Sequence, residues 1–160
     1  MNEITKYLET ASSFMTLEAG KMDLEASPEA IRKSIQDMEK AMLMAPKETQ
    51  TPLETMHTFA DGLYTRTVLM RAGSLICGKI HRLEHIVVIG QGAASVISEE
   101  FGSKMIVAPM VFMSPPLVRR LLFIHTDMIW TTVHKNPTNT RDLKELEKFL
   151  IAPDYEGDKQ

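Results

Sequence analysis

The sequence predicts a mainly β domain, a sandwich or barrel of short strands, with helices at its two ends. Three observations carry this. Beyond residue 52, short runs rich in β-branched and aromatic residues recur roughly every 8–12 residues, separated by turn formers. Before residue 46, apolar residues recur at helical spacing in two segments. Near the end, Leu143, Leu146 and Leu150 form one further stripe, that of a closing helix.

Taken in order, residues 2–19 read as a helix, with Ile4, Leu8, Ala11 and Met15 on one face, Asn2 as cap and Gly20 as stop. Ser27 and Pro28 open a second helix with a cap and a first-turn proline. Its stripe is Ile31, Ile35, Met38 and Met42, and Pro46 ends it. The pair reads as a helical hairpin whose second stripe packs on the downstream sheet or on the same stripe of a second copy; the first is the expectation. The polar, proline-bounded stretch 46–52 is a linker. It divides the chain into a helical appendage (1–50), a β domain with its closing helix (51–152) and a loose tail (153–160).

Strands are expected at 63–71, with Tyr64, Arg66, Val68 and Met70 on one face, then at 75–80 and 85–89. A turn at Gly90-Gln91-Gly92 leads to 93–98. Residues 105–107 and 110–113 flank Ala108-Pro109, and 118–124 and 128–134 are joined by a turn at Thr126-Asp127. The closing helix covers 140–151, and Pro153 stops it.

Composition sets the outer bounds. A chain of 160 residues, 44% hydrophobic and 24% charged, is a soluble globular domain of ordinary composition with an appendage. A net charge of −3 leaves no footprint for nucleic acid. No apolar run reaches the roughly 18 residues of a membrane span, and the first residues lack a signal peptide's apolar core. Cys77 is the only cysteine, which excludes an internal disulfide and points to the cytoplasm; it reads as a small buried thiol. Twelve methionines suggest adaptable packing.

The chemistry concentrates in 73–92, GSLICGKIHRLEHIVVIGQG. His81-x-x-Glu84-His85 matches a zinc-protease string, but that string works only on a helix, where both histidines share a face. The β-branched run Ile86-Val87-Val88-Ile89, closed by glycines, reads instead as a strand. On strands, Lys79 and His81 share a face, and a turn at Arg82-Leu83 brings His85 back beside them.

The spacing Gly73-x5-Lys79-x-His81-x3-His85-x6-Gly92 resembles the first cupin motif, G-x5-H-x-H-x3-E-x6-G, with Lys79 at the first histidine and His85 at the glutamate. Pro109-x5-Pro115-x-Leu117-x2-Arg120-x3-Ile124 resembles the second motif in spacing, keeps its proline and loses its glycines, histidine and asparagine. From His57 onward the chain looks like a group of short cupin-like proteins common in phages and bacteria. The strings that carry this are His57-x-Phe59-x-x-Gly62-x-Tyr64-x-Arg66, Gly78-Lys79-x-His81-x-x-Glu84-His85 and Asp127-x-x-Trp130-x-Thr132-x-His134. The resemblance implies a cupin-type jelly-roll barrel over 63–134, flanked by the N-terminal helical hairpin and the C-terminal helix. Cupins hold a transition metal by three histidines and a glutamate, positions that read Lys79, His81, His85 and Arg120 in this chain.

Two imidazoles are few for a metal, so His81 and His85 would need help from His57, His125, His134 or Glu84. A lysine and an arginine oppose a cation and suit a carboxylate or phosphate. The expected pocket is therefore a degenerate metal site that binds a small anionic metabolite or nucleotide through Lys79, His81, His85, Arg120, Trp130 and His134, with no certain cofactor. The bland alternatives are structural histidines, a core Trp130, and arginines at 119–120 that are solvated or paired within the chain. Two further classes stay open: a small enzyme (isomerase, epimerase or metal-dependent oxygenase), and a phage-borne structural or interaction protein. No nucleic-acid or membrane partner is expected, and a homodimer is.

Overall fold

The computed structural model describes residues 27–153, so the helix expected over 2–19 and the tail beyond Pro153 lie outside the described residues. Helix α1 (Pro28–Met44) starts as the sequence requires, with the Ser27 hydroxyl accepting from the Ala30 amide and proline in the first turn. Strands β1 (Glu54–Ala60), β2 (Leu63–Met70), β3 (Leu75–Cys77), β4 (Ile80–His81), β5 (His85–Ser98), β6 (Gly102–Val107), β7 (Met110–Ser114) and β8 (Arg120–Lys135) follow. Helix α2 (Leu143–Leu150) and strand β9 (Ile151–Ala152) close the described chain.

Two long antiparallel strands, β5 and β8, form the spine. Each bends midway and serves two half-sheets. The first half of β5 and the second half of β8 lie between β7 on one side and β2-β1 on the other. The remaining halves lie between β6 and β3. The two half-sheets close on one core: Val68 and Met70 from β2, Val87, Ile89, Ala94 and Val96 from β5, Ile106 from β6, and Leu122, Ile124, Met128 and Trp130 from β8. The hydrogen-bonded path β1-β2-β8-β5-β6 is open, which corrects the expectation of a closed barrel.

The turns expected at 90–92 and 126–127 are corners inside continuous strands. Pairing shifts register between Ile89 and Ala94, where β5 crosses β8. Gly92 has φ +93°, and a Cβ there would lie 2.5 Å from the Asp127 carbonyl oxygen and 2.7 Å from the Met128 Cα. Only glycine fits that corner. The strand expected at 75–80 is split in two around Gly78, and β1 forms over 54–60, between the expected linker and the first expected strand, where no element was expected. The closing helix is shorter than its stripe suggested: Asp142 caps it, and Ile151 passes into β9, which pairs with β4.

The α1 stripe packs on the outer face of the second half-sheet, as expected. Ile31 and Ile35 are buried against Ile97 and Leu121, with Met38 and Met42 beside them. Full burial of each isoleucine is worth about 1.5–3 kcal/mol. A two-pronged Arg119–Glu39 ion pair fastens the same helix to the start of β8. Among the described residues no helix is long and apolar enough to cross a membrane.

Candidate functional site

The register of the first half-sheet assembles the site. Because side chains alternate, every second cross-strand row faces inward. One row reads Thr55, Val68, Trp130, Ile89 and Met110, and the next His57, Arg66, Thr132, Val87 and Phe112. In the third, Phe59 pairs with Tyr64, Tyr64 with His134 and His85 with Ser114, while the Ile86–Val133 pair sets His85 opposite His134. The rows thus pass from apolar to polar along the strands, and a cavity of about 400 Å³ opens over the polar end. Strand β4 lowers His81 into it, held by β9 and by the Leu117 amide, which donates to the His81 carbonyl oxygen. Leu143, Leu146, Glu147 and Leu150 of α2 form part of the cavity's wall.

His81, His85 and His134 form a three-imidazole cluster, with ring centres 4.3 Å apart for 81–85, 4.7 Å for 85–134 and 5.0 Å for 81–134. Burial, then the neighbouring His85 and His134, holds the His81 pKa far below its ordinary value, at about 2. Burial, then His85 and Arg66, lowers His134 to about 3. His85 is also lowered by burial, against the opposing effect of its bond to Leu83. All three are neutral at pH 7. His85 Nδ1 donates to the Leu83 carbonyl oxygen at 3.2 Å, which leaves its Nε2 with a free lone pair. Tyr64 stacks on His134 at 5.9 Å, and its hydroxyl hydrogen-bonds His57 Nδ1 at 2.8 Å.

The cations stand differently from the expectation. Lys79 is exposed at the rim and paired with Glu147 of α2. Arg120 is buried in the wall, but its charge is met within the chain: the guanidinium donates to Glu100 at 2.6 Å and to the Ser114 hydroxyl at 2.8 Å, above the Phe112 ring. The two cations therefore do not converge on one anion. Trp130 packs in the core, edge-on to Phe112, and lends one surface to the cavity. Cys77 packs beside α1, and burial pushes its thiol up to about 11. Asp127, two residues from His125, braces Arg71 and the Ala72 amide.

Arg66 is the cation that the sequence reading passed over. It lines the cavity, and its charge acts on His81, His134, Tyr64 and Glu147. Among the described residues no ion pair holds its guanidinium, since Glu147 is taken by Lys79. Its signal was present in the alternation Tyr64, Arg66, Val68, Met70, a charge on an otherwise core-facing strand face.

The motif spacing implies a transition metal at these imidazoles. Three imidazoles bound to one ion at about 2.0–2.1 Å place their ring centres roughly 4.5–5.3 Å apart, and the observed separations are close to that range. Neutral imidazoles are the form that binds metal. As the side chains stand, no group of three His, Cys, Asp or Glu among the described residues is set to hold an ion. Ring rotation about χ2, a broad torsion in histidine, would be required.

No profile of a known protein family matches the sequence, and no curated protein does. Solved structures similar to the chain include KdgF from Halomonas sp., at 15% identity over 60% of this chain and 88% of that one, with a TM-score of 0.47. Ectoine synthase from P. lautus follows at 17% identity over 61% and 74%, with a TM-score of 0.47. A cupin superfamily protein from Desulfitobacterium hafniense matches at 15% identity over 59% and 85%, with a TM-score of 0.45.

Proposed function

We propose that this protein binds a small organic anion in the cavity between its half-sheets and α2, with Arg66 meeting the anionic group and the neutral imidazoles of His81, His85 and His134 meeting the ligand's polar groups. The observation that carries the reading is the Arg66 guanidinium, which no ion pair among the described residues holds, in a recess whose other lining cations, Lys79 and Arg120, are already met by Glu147 and Glu100. A half-buried cation without a counter-charge is costly, and a carboxylate or phosphate supplies that charge in the two-pronged geometry arginine favours. Lys79 and Arg120 act as rim and wall, their charges already met by Glu147 and Glu100.

Binding is favoured over proton transfer by the histidines themselves. A general base works best with a pKa near the working pH, and values of about 2 and 3 make His81 and His134 weak bases. The experiment is a thermal-shift screen of dicarboxylates, phosphates, nucleotides and sugar nucleotides on the wild type and Arg66→Ala. Ligand at a hundred times its dissociation constant adds about 2.7 kcal/mol of stability, enough to read easily. Stabilisation by one anion class, lost in Arg66→Ala and kept in Lys79→Ala, is expected; no stabilisation by any of them overturns the reading.

A second reading rests on the imidazole spacing: His81, His85 and His134 hold a transition metal. Such an ion would act as a Lewis acid toward a bound carbonyl or carboxylate oxygen. Arg66 would still orient the ligand's anionic end, and Tyr64, hydrogen-bonded to His57, would present its hydroxyl beside His134.

A further inference from the structure

The cavity has a second lobe that the anion and the imidazoles leave empty. The inward rows of the first half-sheet change character on either side of Arg66. On one side stand Tyr64, His134 and His85. On the other stand Val68 and Trp130, then Met70, with Leu53 level with it just ahead of β1. Ile76 of β3 and Leu122 of β8 close this side from the second half-sheet. All six of these apolar residues line the same cavity of about 400 Å³ as Arg66 and the histidines. None is charged, and only Trp130 has a hydrogen-bonding group, its indole N–H.

We infer that the ligand held by Arg66 carries, at its other end, an uncharged apolar body of about four carbons that lies in this lobe. The inference rests on the reading that Arg66 meets the anionic group. Hydration is the first argument. A buried water is held by about three hydrogen bonds, and these six side chains offer one donor between them, so the lobe suits hydrocarbon better than water. The hydroxyls of a sugar or the polar edge of a base would lose their partners there. Charge is the second argument. The cations at the polar end, Lys79 and Arg120, are already paired, and the lobe holds none, so a second anionic group placed there would be met by nothing. Length is the third. The Val68–Trp130 row lies one side-chain spacing, about 6.7 Å, from the Arg66–Thr132 row, and the Met70–Met128 row lies one spacing further. A four-carbon chain on a headgroup at Arg66 covers the first spacing and enters the second.

The test is calorimetric titration of the full chain with methyl and butyl phosphate and with methylsuccinate and butylsuccinate, two pairs that separate a phosphate from a carboxylate headgroup. Each buried methylene is worth about fourfold in affinity, so the butyl member of the recognised pair is expected to bind roughly 60-fold tighter than the methyl member. Leu53 is 36% exposed and lies outside the hydrophobic core clusters, so Leu53→Ser is expected to keep the wild-type circular dichroism. In that variant the methyl compound is expected to bind as before and the butyl advantage to fall severalfold. Methyl and butyl compounds that bind alike, both lost in Arg66→Ala, overturn this inference and leave the Arg66 reading standing. So does recognition of a nucleotide or sugar nucleotide with none of the four bound. A butyl advantage that Leu53→Ser leaves whole also overturns it, since the chain would then lie elsewhere. No binding of any anion, these four included, removes the Arg66 reading and this inference with it.

Discussion

Acid should unfold this protein through its imidazole cluster, and the size of the effect follows from burial. The ordinary histidine value is 6.5, while burial holds His81 at about 2 and His134 at about 3. A group whose folded pKa is depressed takes up its proton in the unfolded state first, so stability is complete above 6.5 and falls as pH drops toward the folded values. At pH 5.5 an unfolded histidine is protonated about ten to one, and each of the two costs about 1.4 kcal/mol relative to high pH, about 3 kcal/mol together. His85 adds to the loss in the same direction. Glu99, raised by burial, acts oppositely and gains stability as pH falls. The lowered carboxyls Glu29, Asp37, Asp127 and Glu147 cost stability only as pH falls into and below the ordinary carboxylate range. The cluster's share is therefore isolated by difference. Urea unfolding of wild type and the His81→Gln/His134→Gln variant at pH 7.5 and 5.5 should show the variant losing about 3 kcal/mol less over that interval. Parallel losses in the two proteins would refute the claim that these rings are buried and neutral.

Elemental analysis of protein purified without chelator separates the two ligand readings: one transition metal per chain, lost in His81→Ala/His85→Ala, is expected of the metal reading, and metal well below one per chain removes it. Gly92→Ala should cost about 2 kcal/mol or more in urea unfolding, because it sets a Cβ against the backbone of β8 at a positive φ. Gly73→Ala, also at positive φ but with open space around it, is the comparison and should cost about 1 kcal/mol. Equal losses would mean that the β5 corner has room to relax.

Local pattern made much of this fold legible. The Ser27-Pro28 start, the Ile31/Ile35 stripe and the alternation in 63–70 each need only near neighbours to be read, and each forms as expected. The corners did not show themselves, because a glycine at 92 suits a hairpin turn and a bent strand equally well; the distinction lies in β8, about 35 residues away, crossing β5 there. Strand β1 was missed because its exposed positions, Glu54, Met56, Thr58 and Ala60, belong to an edge strand whose burial pattern is weak.

The same distinction between local and distant information explains the site. Lys79 and Arg120 sit at spacings where a ligand group was expected, and their charge sign alone suggested a jointly held anion. Whether a cation is free depends on carboxylates that spacing does not reveal. Glu147 arrives from α2, 68 residues beyond Lys79, and Glu100 from the bend after β5, 20 residues before Arg120. His134 stands 53 residues past His81 in the chain, and on a different sheet, yet the fold stacks their rings. Arg66 was accessible to a purely local argument. Tyr64, Val68 and Met70 are all buried on the same face of β2, and a charged residue placed among them must either find a counter-charge or face a cavity. With Glu147 committed to Lys79 and no other ion pair to Arg66 among the described residues, the cavity remains, and that is why the anion is assigned to Arg66.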